Sequence, residues 1–445
     1  MAASVAGCST PSASVDDTKA AESGSDSSQS AAAGEKIFRY SNTADIATID
    51  PDKTNSVADA TVSYHIYDGL YRNVQGELQP ATAESYEVSD DGLVYTFKLR
   101  QDTKWSDGQT VTAKDYEYGM KRLCDPAAAC PASYLGAVLK NGAKVSEGEL
   151  PVDELGVKAL DDFTLEITLE NPADYFVSMT SMSAFMPVRE DLVEKYGNEF
   201  GGSADKQVYN GPFVVSEYSN GKVELTKNPD YYDNEKISLD GVEILTVADQ
   251  TTAVSMFDAG ELDLAEVPTE LAAQYEGKTQ SYYNGADDYA ALNHRNKYLA
   301  NKNLRLAMNY AVNREEYILL THNGLYQANQ RYVLPQVRGV DGEYGTEYPL
   351  EAFPLQGDMD KAKEYLDTAL SELGLSSASD ISLKLVVSDS DTAKKEAEVV
   401  ANQWKNNLGI NVDINMVPYA TKNALLVPDS DEYDIIMSGW APDYS

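Results

Sequence analysis

A predicted helix that runs directly into a predicted strand is the feature that most restricts the fold of this chain. Residues Thr392 to Leu408 are predicted to form a helix, and Gly409 is typical of the residue that follows a helix C-terminus. The next residues alternate apolar and polar side chains, with Ile410, Val412, Ile414 and Met416 on one face. This close succession favours a mixed α/β fold over an all-α or all-β fold.

The same mixture recurs along the chain. Thr112 to Asp115 resembles a capping box and predicts a helix to about Leu123, and a second helix is predicted from Asp360 to Leu373 before Gly374. Period-two alternation predicts strands over Tyr95–Arg100 and Thr164–Glu170. Helices and strands therefore intermix throughout, as α/β lobes require.

Length and charge limit the class of protein. The chain has 445 residues, of which 42% are hydrophobic, so it can form about three compact units and is not wholly disordered. Its 72 acidic and 35 basic residues give a formal charge of −37, which repels phosphate backbones and anionic lipid headgroups. No basic patch offsets this charge, so nucleic acid and the membrane surface are poor partners. No run of 18 apolar residues predicts a membrane span.

The N-terminal segment predicts a lipid anchor and a tether. Val5-Ala6-Gly7-Cys8 resembles the lipobox of bacterial lipoproteins, in which the cysteine thiol receives diacylglycerol after export, but the usual basic and apolar parts of a signal peptide do not precede it. Residues Ser9–Gly34 are almost entirely small or acidic, and such a flexible stretch reaches about 30 Å. We expect Cys8 to be lipidated and this linker to hold the folded part away from a bilayer.

Two further cysteines leave two alternatives open. Five residues separate Cys124 from Cys130, which is wide for a redox motif, and no nearby histidines suggest zinc. In an exported protein they could form a local disulfide. Two unpaired, buried thiols are the other interpretation.

Motifs for catalysis or cofactor binding are missing from the sequence. His65, His294 and His322 are far apart and are interpreted as surface or satisfied core residues, and no metalloprotease, phosphate-binding, nucleophile-elbow or dinucleotide motif occurs. The Asp389/Asp391 and Asp429/Asp431 pairs lack the glycine and distal glutamate of a calcium loop and are interpreted as turns. The sequence therefore predicts no catalytic residue, no cofactor and no metal.

A series of short motifs carries a family resemblance. In chain order they are Ile49-Asp50-Pro51, Asp68-Gly69-Leu70-Tyr71, Trp105-Ser106-Asp107-Gly108, Asn210-Gly211-Pro212-Phe213, Lys227-Asn228-Pro229-Asp230-Tyr231-Tyr232, Leu304-Arg305-Leu306-Ala307 and Gly439-Trp440 with Asp443-Tyr444. Together they span from about Ile37 to the last residue. In this order the motifs resemble the family 5 extracellular solute-binding proteins, the oligopeptide and dipeptide receptors of ABC importers.

The resemblance implies a two-lobed α/β fold of the periplasmic-binding-protein type (class II, cluster C) with a small domain inserted in the first lobe. Residues 1–34 would be the lipobox remnant and linker, 35–67 and 192–292 the first lobe, 68–191 the inserted domain, and 293–445 the second lobe. A return segment completes both lobes in the family. We therefore expect this sequence to be truncated at both ends, lacking most of an export signal and the C-terminal part of the fold.

The resemblance also implies a peptide site. In the oligopeptide-binding branch, the aspartate of a Trp-x-x-Asp-Tyr motif pairs with the α-ammonium of the peptide, and the tryptophan lines a side-chain pocket. The matching residues here are Asp443, Trp440 and Tyr444. A buried ammonium must be paired, and a charge-assisted hydrogen bond contributes roughly 1.5 to 3 kcal/mol.

A second part of the site is implied at Asn55, Ser56 and Val57, in a stretch whose backbone pairs with the peptide like an added strand. This chain departs from the characterised receptors at several positions. Those receptors carry a tyrosine near Pro131, an acid near Ala291, an arginine near Met437 and a cysteine pair at Ala286 and Ala441. Because of these departures, the length of the ligand and the way in which its C-terminal carboxylate is bound stay open.

The function implied is that of an extracytoplasmic receptor which captures oligopeptides between two closing lobes, delivers them to the permease subunits of an ABC importer and catalyses no reaction. We expect a monomer held at the bacterial cell membrane only by its lipid, at the cell surface or in the periplasm. Alternatives within the family are receptors for a nickel chelate, haem, a sugar or an opine. Alternatives outside it are a surface peptidase or glycosidase, or a sensor or adhesin on the same fold.

Overall fold

The computed structural model describes residues 35–54, 56–219, 221–282, 285–349, 353–426 and 430–440. Cys8, the linker Ser9–Gly34, Asn55, Asp443 and Tyr444 lie outside these ranges. Within them, no helix is both long enough and apolar enough to cross a bilayer.

Strands and helices intermix along the described chain. The strands are β1 (Ile37–Asn42), β2 (Tyr71–Val74), β3 (Glu77–Pro80), β4 (Ala83–Val88), β5 (Val94–Leu99), β6 (Val157–Asp161), β7 (Thr164–Thr168), β8 (Phe213–Ser219), β9 (Lys222–Lys227), β10 (Gly241–Thr246), β11 (Asp287–Leu292), β12 (Ser382–Ser388), β13 (Asn411–Val417) and β14 (Ile435–Trp440). The α-helices are α1 (Val57–Ile66), α2 (Ala113–Cys124), α3 (Gly142–Ser146), α4 (Phe176–Met179), α5 (Glu190–Tyr196), α6 (Gln250–Asp258), α7 (Lys302–Tyr310), α8 (Arg314–His322), α9 (Tyr344–Glu347), α10 (Met359–Leu373), α11 (Asp391–Leu408) and α12 (Tyr419–Leu425).

The first sheet has the strand order β1-β10-β9-β8. Its first strand pairs in parallel with β10, whereas β9 pairs antiparallel with both β10 and β8. The chain therefore leaves this sheet after β1 and returns to it only at β8. A long segment of the chain is inserted between these two strands.

A small antiparallel sheet, β4-β5-β7-β6, stands in that insertion. Along β5, Tyr95, Phe97 and Leu99 are buried while Lys98 is exposed, which is the alternation that the sequence predicts. Helix α2 packs on β6 and β7. It begins with the predicted capping box, in which a carboxylate oxygen of Asp115 accepts a hydrogen bond from the backbone N–H of Thr112 at 2.7 Å.

The second large sheet has the order β11-β14-β12-β13. Helix α11 connects β12 to the parallel strand β13, and Gly409 ends the helix with φ of 78°. The helix and strand predicted on either side of Gly409 are confirmed. Strand β11 pairs antiparallel with β14, so it lies in this sheet although it precedes residue 293, where the family resemblance places the second lobe's start.

Two hydrophobic cores follow from this arrangement. One joins the first sheet to the small sheet and contains Ile66, Phe97 and Val242. The other fills the second sheet and its helices, where Trp404 also donates a hydrogen bond from Nε1 to the carbonyl of Met308 at 2.9 Å. The inserted domain thus packs with the first lobe, and any ligand site between the lobes lies between these two cores.

Candidate functional site

A cavity of about 3380 Å³ is lined by residues of both cores. Tyr67 and Met186 line it from the first core, and Met308 and Trp404 line it from the second. Sites for small molecules usually measure about 300–1,000 Å³. The interlobe cavity is therefore large enough for a ligand of several residues together with water.

A second, smaller pocket of about 550 Å³ also reaches the end of β14. Trp440 contributes from the end of β14, and the inserted domain contributes Tyr134, Pro172 and Tyr175. Gly439, the residue directly before Trp440, lines the large cavity instead. The end of β14 therefore lies where the two spaces meet, which makes this junction the candidate site.

Of the three implied peptide-contacting residues that the structure describes, Trp440 lines the smaller pocket and Ser56 and Val57 do not. The side chain of Trp440 is 49% exposed, as a residue that lines an open pocket should be. Its neighbours in the motif, Asp443 and Tyr444, lie outside the described residues. The role of Asp443 as amine anchor stays a prediction.

Ser56 and Val57 line neither cavity among the described residues. The side chain of Ser56 instead caps α1, where Oγ accepts a hydrogen bond from the backbone N–H of Asp59 at 3.1 Å. Val57 is the first residue of that helix and is 84% exposed. Ser56 itself is still extended, with φ of −138° and ψ of 158°, so the start of α1 at Val57 ends the stretch available for strand-like pairing.

A buried ion cluster fixes the chain just before this stretch. The guanidinium of Arg122, on α2 of the inserted domain, donates from Nη2 to Asp50 at 2.6 Å and from Nη1 to Asp52 at 2.7 Å. All three side chains are buried, at 9%, 2% and 0% exposure. Lys53 adds a further link, because its ammonium donates to the carbonyls of Ala128 and Ala129 in the inserted domain.

The electrostatics of this cluster are unbalanced. Two carboxylates share one guanidinium, and Oδ1 of Asp52 has no hydrogen-bond partner among the described residues. Burial raises the pKa of Asp52 to about 7, against the lowering effect of Arg122, and the charge of Asp50 adds to the rise. Gly201 closes the cluster from the other side, because a Cβ there would lie 2.4 Å from Cβ of Asp50.

A polar group in the lining of the large cavity was not predicted from the sequence. Nε2 of His322, on α8, lies 3.0 Å from Oε1 of Glu396 on α11, and the imidazole stacks on Tyr326 with ring centroids 3.9 Å apart. The sequence interpretation of His322 as a satisfied residue agrees with this contact. Its partner could not be found from local spacing, because α8 and α11 are distant along the chain.

The two remaining cysteines are free, buried thiols in the structure. Burial raises the pKa of Cys124 to about 11 and that of Cys130 to about 12, so both are protonated at neutral pH. This arrangement is the second of the two alternatives left by the sequence. The described residues also contain no group of three or more histidine, cysteine or acidic side chains placed to hold a metal ion.

Comparison with known proteins gives consistent matches along the chain. Residues 77–445 match the family model described as bacterial extracellular solute-binding proteins, family 5 Middle. The oligopeptide-binding protein OppA of Bacillus subtilis is 31% identical over 408 residues, covering 89% of this chain and 73% of that protein. The dipeptide-binding protein of Lactococcus lactis is 29% identical over 430 residues, covering 92% and 77%.

A solved structure agrees with these sequence matches. The structure of Listeria monocytogenes OppA bound to peptide superposes with a TM-score of 0.75 at 30% identity. The match covers 93% of this chain and 82% of that one. The similarity therefore includes both cores and the junction between them.

Proposed function

The chain belongs to the bacterial extracellular solute-binding proteins of family 5, and on this basis we propose that it is an oligopeptide receptor that delivers its ligand to an ABC importer. The observation that carries the proposal is the position of Trp440, the motif tryptophan, where the large cavity meets the smaller pocket. A peptide whose first side chain occupies the smaller pocket can extend its later residues into the larger cavity. The relatives reported above are named for oligopeptides and dipeptides.

The binding mechanism proposed needs no chemistry on the ligand. Asp443 pairs with the α-ammonium, and the main chain near Thr54 offers hydrogen bonds that do not depend on ligand sequence. The surplus volume of the large cavity holds water, which bridges to different side chains at small cost. Closure of the two lobes then removes the pair from bulk solvent and strengthens it.

The other functions considered have less support. The family is one of binding proteins and not of enzymes. The relatives reported above are named for peptides, and not for a nickel chelate, haem, a sugar or an opine.

A mixture of short peptides is expected to stabilise the purified chain. A ligand that binds only the folded state at one hundred times its Kd adds about 2.7 kcal/mol to the free energy of unfolding. Thermal unfolding with and without the peptides measures this, and calorimetric titration should give one peptide per chain. An equal mass of free amino acids is the control, and light scattering checks that the receptor is a monomer.

Stabilisation by amino acids alone, or by neither mixture, would contradict a peptide receptor. A stable dimer in light scattering would contradict only the prediction that the receptor is a monomer.

The lipid anchor is a separate part of the proposal. Cys8 and the following linker support it, since each buried methylene of an acyl chain contributes about 0.8 kcal/mol to membrane binding. When the complete gene is expressed in a bacterium, the Cys8→Ser variant is expected to move from the membrane fraction to the soluble fraction. Mass spectrometry of the N-terminal peptide should show diacylglycerol only on Cys8 of the unsubstituted protein. Unchanged membrane attachment of the variant would refute the anchor.

A further inference from the structure

The arginines of this chain fall into two groups. In the part of the chain that the structure describes, every arginine outside residues 305–338 forms an ion pair with an aspartate. These residues are Arg39, Arg72, Arg100, Arg122, Arg189 and Arg295. Arg305, Arg314, Arg331 and Arg338 form no ion pair with any described carboxylate, although acids outnumber bases by 72 to 35.

All four arginines without a carboxylate partner line the large cavity. We call Arg305, Arg314, Arg331 and Arg338 the arginine wall. Acidic residues such as Asp287 and Glu396 line the same cavity, but they form no ion pair with the wall. In a chain this acidic, a group of unpaired guanidinium groups in one cavity needs a physical reason.

Hydrogen bonds within the protein explain why Arg305 needs no carboxylate partner. Its Nη1 donates to the carbonyls of Leu299 and Ala300 at 2.7 and 3.0 Å, so it binds the turn before α7. Arg331 is partly used in the same way, with one hydrogen bond of 2.7 Å to the carbonyl of Tyr348. These two residues therefore have a structural role whether or not a ligand is present.

Arg314 and Arg338 are not accounted for in this way. A guanidinium has five N–H donors. Arg314 directs one at Oδ1 of Asn309 and one, at 3.4 Å, at the carbonyl of Val312. Arg338 makes no side-chain hydrogen bond with the described residues. Both side chains therefore retain donors without a described partner, and both residues line the large cavity.

The environment of Arg314 makes the lack of a counter-charge costly. The guanidinium lies 5.9 Å from the ring centre of Phe353, and burial lowers the pKa of Arg314 because it disfavours the charged form. A partly buried cation is stabilised by an anion, and arginine binds carboxylates in a bidentate, charge-assisted manner. A ligand carboxylate would supply the charge that the protein does not.

From these contacts we propose that Arg314 and Arg338 bind acidic side chains of the ligand, so that the receptor prefers peptides rich in glutamate or aspartate. This inference rests on the proposed function, because it assumes that the cavity takes peptides. It adds a specificity that the family assignment does not contain. Arg314 and Arg338 would select, by side-chain charge, among peptides whose α-amine pairs with Asp443.

Two matched peptides test the preference. The probes are Ala-Glu-Glu-Ala-Ala and Ala-Gln-Gln-Ala-Ala, each with a free amine and an amidated C-terminus, so that only the side-chain carboxylates differ. Calorimetric titration at low salt is expected to give the acidic peptide about tenfold tighter binding. Failure of both peptides to bind would overturn the proposed function and this inference with it. Equal binding of the two would overturn the inference alone.

Substitutions of single arginines test which side chains cause the preference for the acidic peptide. Arg338→Gln and Arg314→Gln are each expected to remove most of the advantage of the acidic peptide and to leave the glutamine peptide within about twofold. Arg295→Gln removes the same charge from the same lobe, at an arginine 3.8 Å from Asp431 that does not line the cavity, and should leave the advantage intact. Arg338 is exposed, so its variant gives a result even if Arg314→Gln does not fold. An advantage that survives both variants, or is lost equally in Arg295→Gln, would refute the assignment.

Discussion

Replacing Asp443 by asparagine is expected to weaken the binding of a peptide with a free α-amine by about 10- to 100-fold. The carboxylate is proposed to pair with the ammonium in a site that closes around it, and asparagine keeps the shape of the side chain without its charge. An N-acetylated peptide carries no ammonium, so the variant should bind it about as well as the unsubstituted chain does. Calorimetric titration of both peptides into both proteins measures the difference.

A matched control separates this local effect from the loss of one negative charge. Asp389→Asn removes the same charge from an exposed position that lines neither cavity. It should change the affinity for both peptides by less than about twofold, because an exposed charge outside the cavity lining is screened by salt. If Asp443→Asn weakens the free and the acetylated peptide equally, Asp443 does not anchor the amine.

Local features of the fold were predictable from the sequence because their causes are local. The helix predicted over Thr392–Leu408 is observed as Asp391–Leu408, and the strand after Gly409 is observed as Asn411–Val417. Both rest on short-range periodicity and on the positive φ of one glycine. The two-lobed fold came from motif order instead, and the solved relative confirms it.

Features that depend on distant contacts were not predictable in this way. The parallel pairing of β1 with β10, and the ion cluster of Arg122 with Asp50 and Asp52, join segments that no periodicity connects. The motif Ile49-Asp50-Pro51 signalled the family without indicating that its aspartate would be buried. The unpaired state of Arg314 likewise appears only once every neighbouring carboxylate has been located.

Within the candidate site, the resemblance assigns Trp440 to a side-chain pocket; the structure places this residue at the end of β14, in the lining of the smaller pocket, and its contact with a peptide stays a prediction. Ser56 shows how a local preference acts within an implied stretch. Serine before a helix is a strong N-cap, and that local preference determines its contact in the structure. A resemblance assigns a stretch of chain to a role, but capping decides which residues in that stretch remain extended.

The buried ion cluster gives the largest expected effect on stability. Arg122→Met is expected to lower the free energy of unfolding by about 3–5 kcal/mol at pH 8, because it leaves two buried carboxylates without a counter-charge. Denaturant unfolding followed by circular dichroism measures this loss. Lys114→Met is the matched control, since that lysine forms a 3.1 Å ion pair with Asp162 in which both side chains are more than half exposed. It should cost less than about 1 kcal/mol.

The pH dependence of the same cluster has a definite sign. The folded state raises the pKa of Asp52 from 3.8 to about 7, so between these values the folded chain holds a proton that the unfolded chain has released. This contribution to stability is complete below about pH 4 and is lost as the pH rises to about 7. Asp52→Asn resembles the protonated side chain and cannot ionise. We compare the free energy of unfolding of the variant with that of the unsubstituted chain at each pH. The difference should favour the variant by about 2–4 kcal/mol more at pH 8 than at pH 4.

Opposite signs for the two substitutions are the decisive result. Arg122→Met and Asp52→Asn each remove one charge from the same cluster, so a purely steric role for the cluster predicts that both destabilise the chain at every pH. The electrostatic account predicts loss for the first variant and gain for the second at pH 8, with both effects shrinking as the carboxylates protonate. The cluster fixes the chain next to Lys53 and Thr54. If Arg122→Met binds peptide more weakly than its content of unfolded protein explains, this stretch forms part of the site.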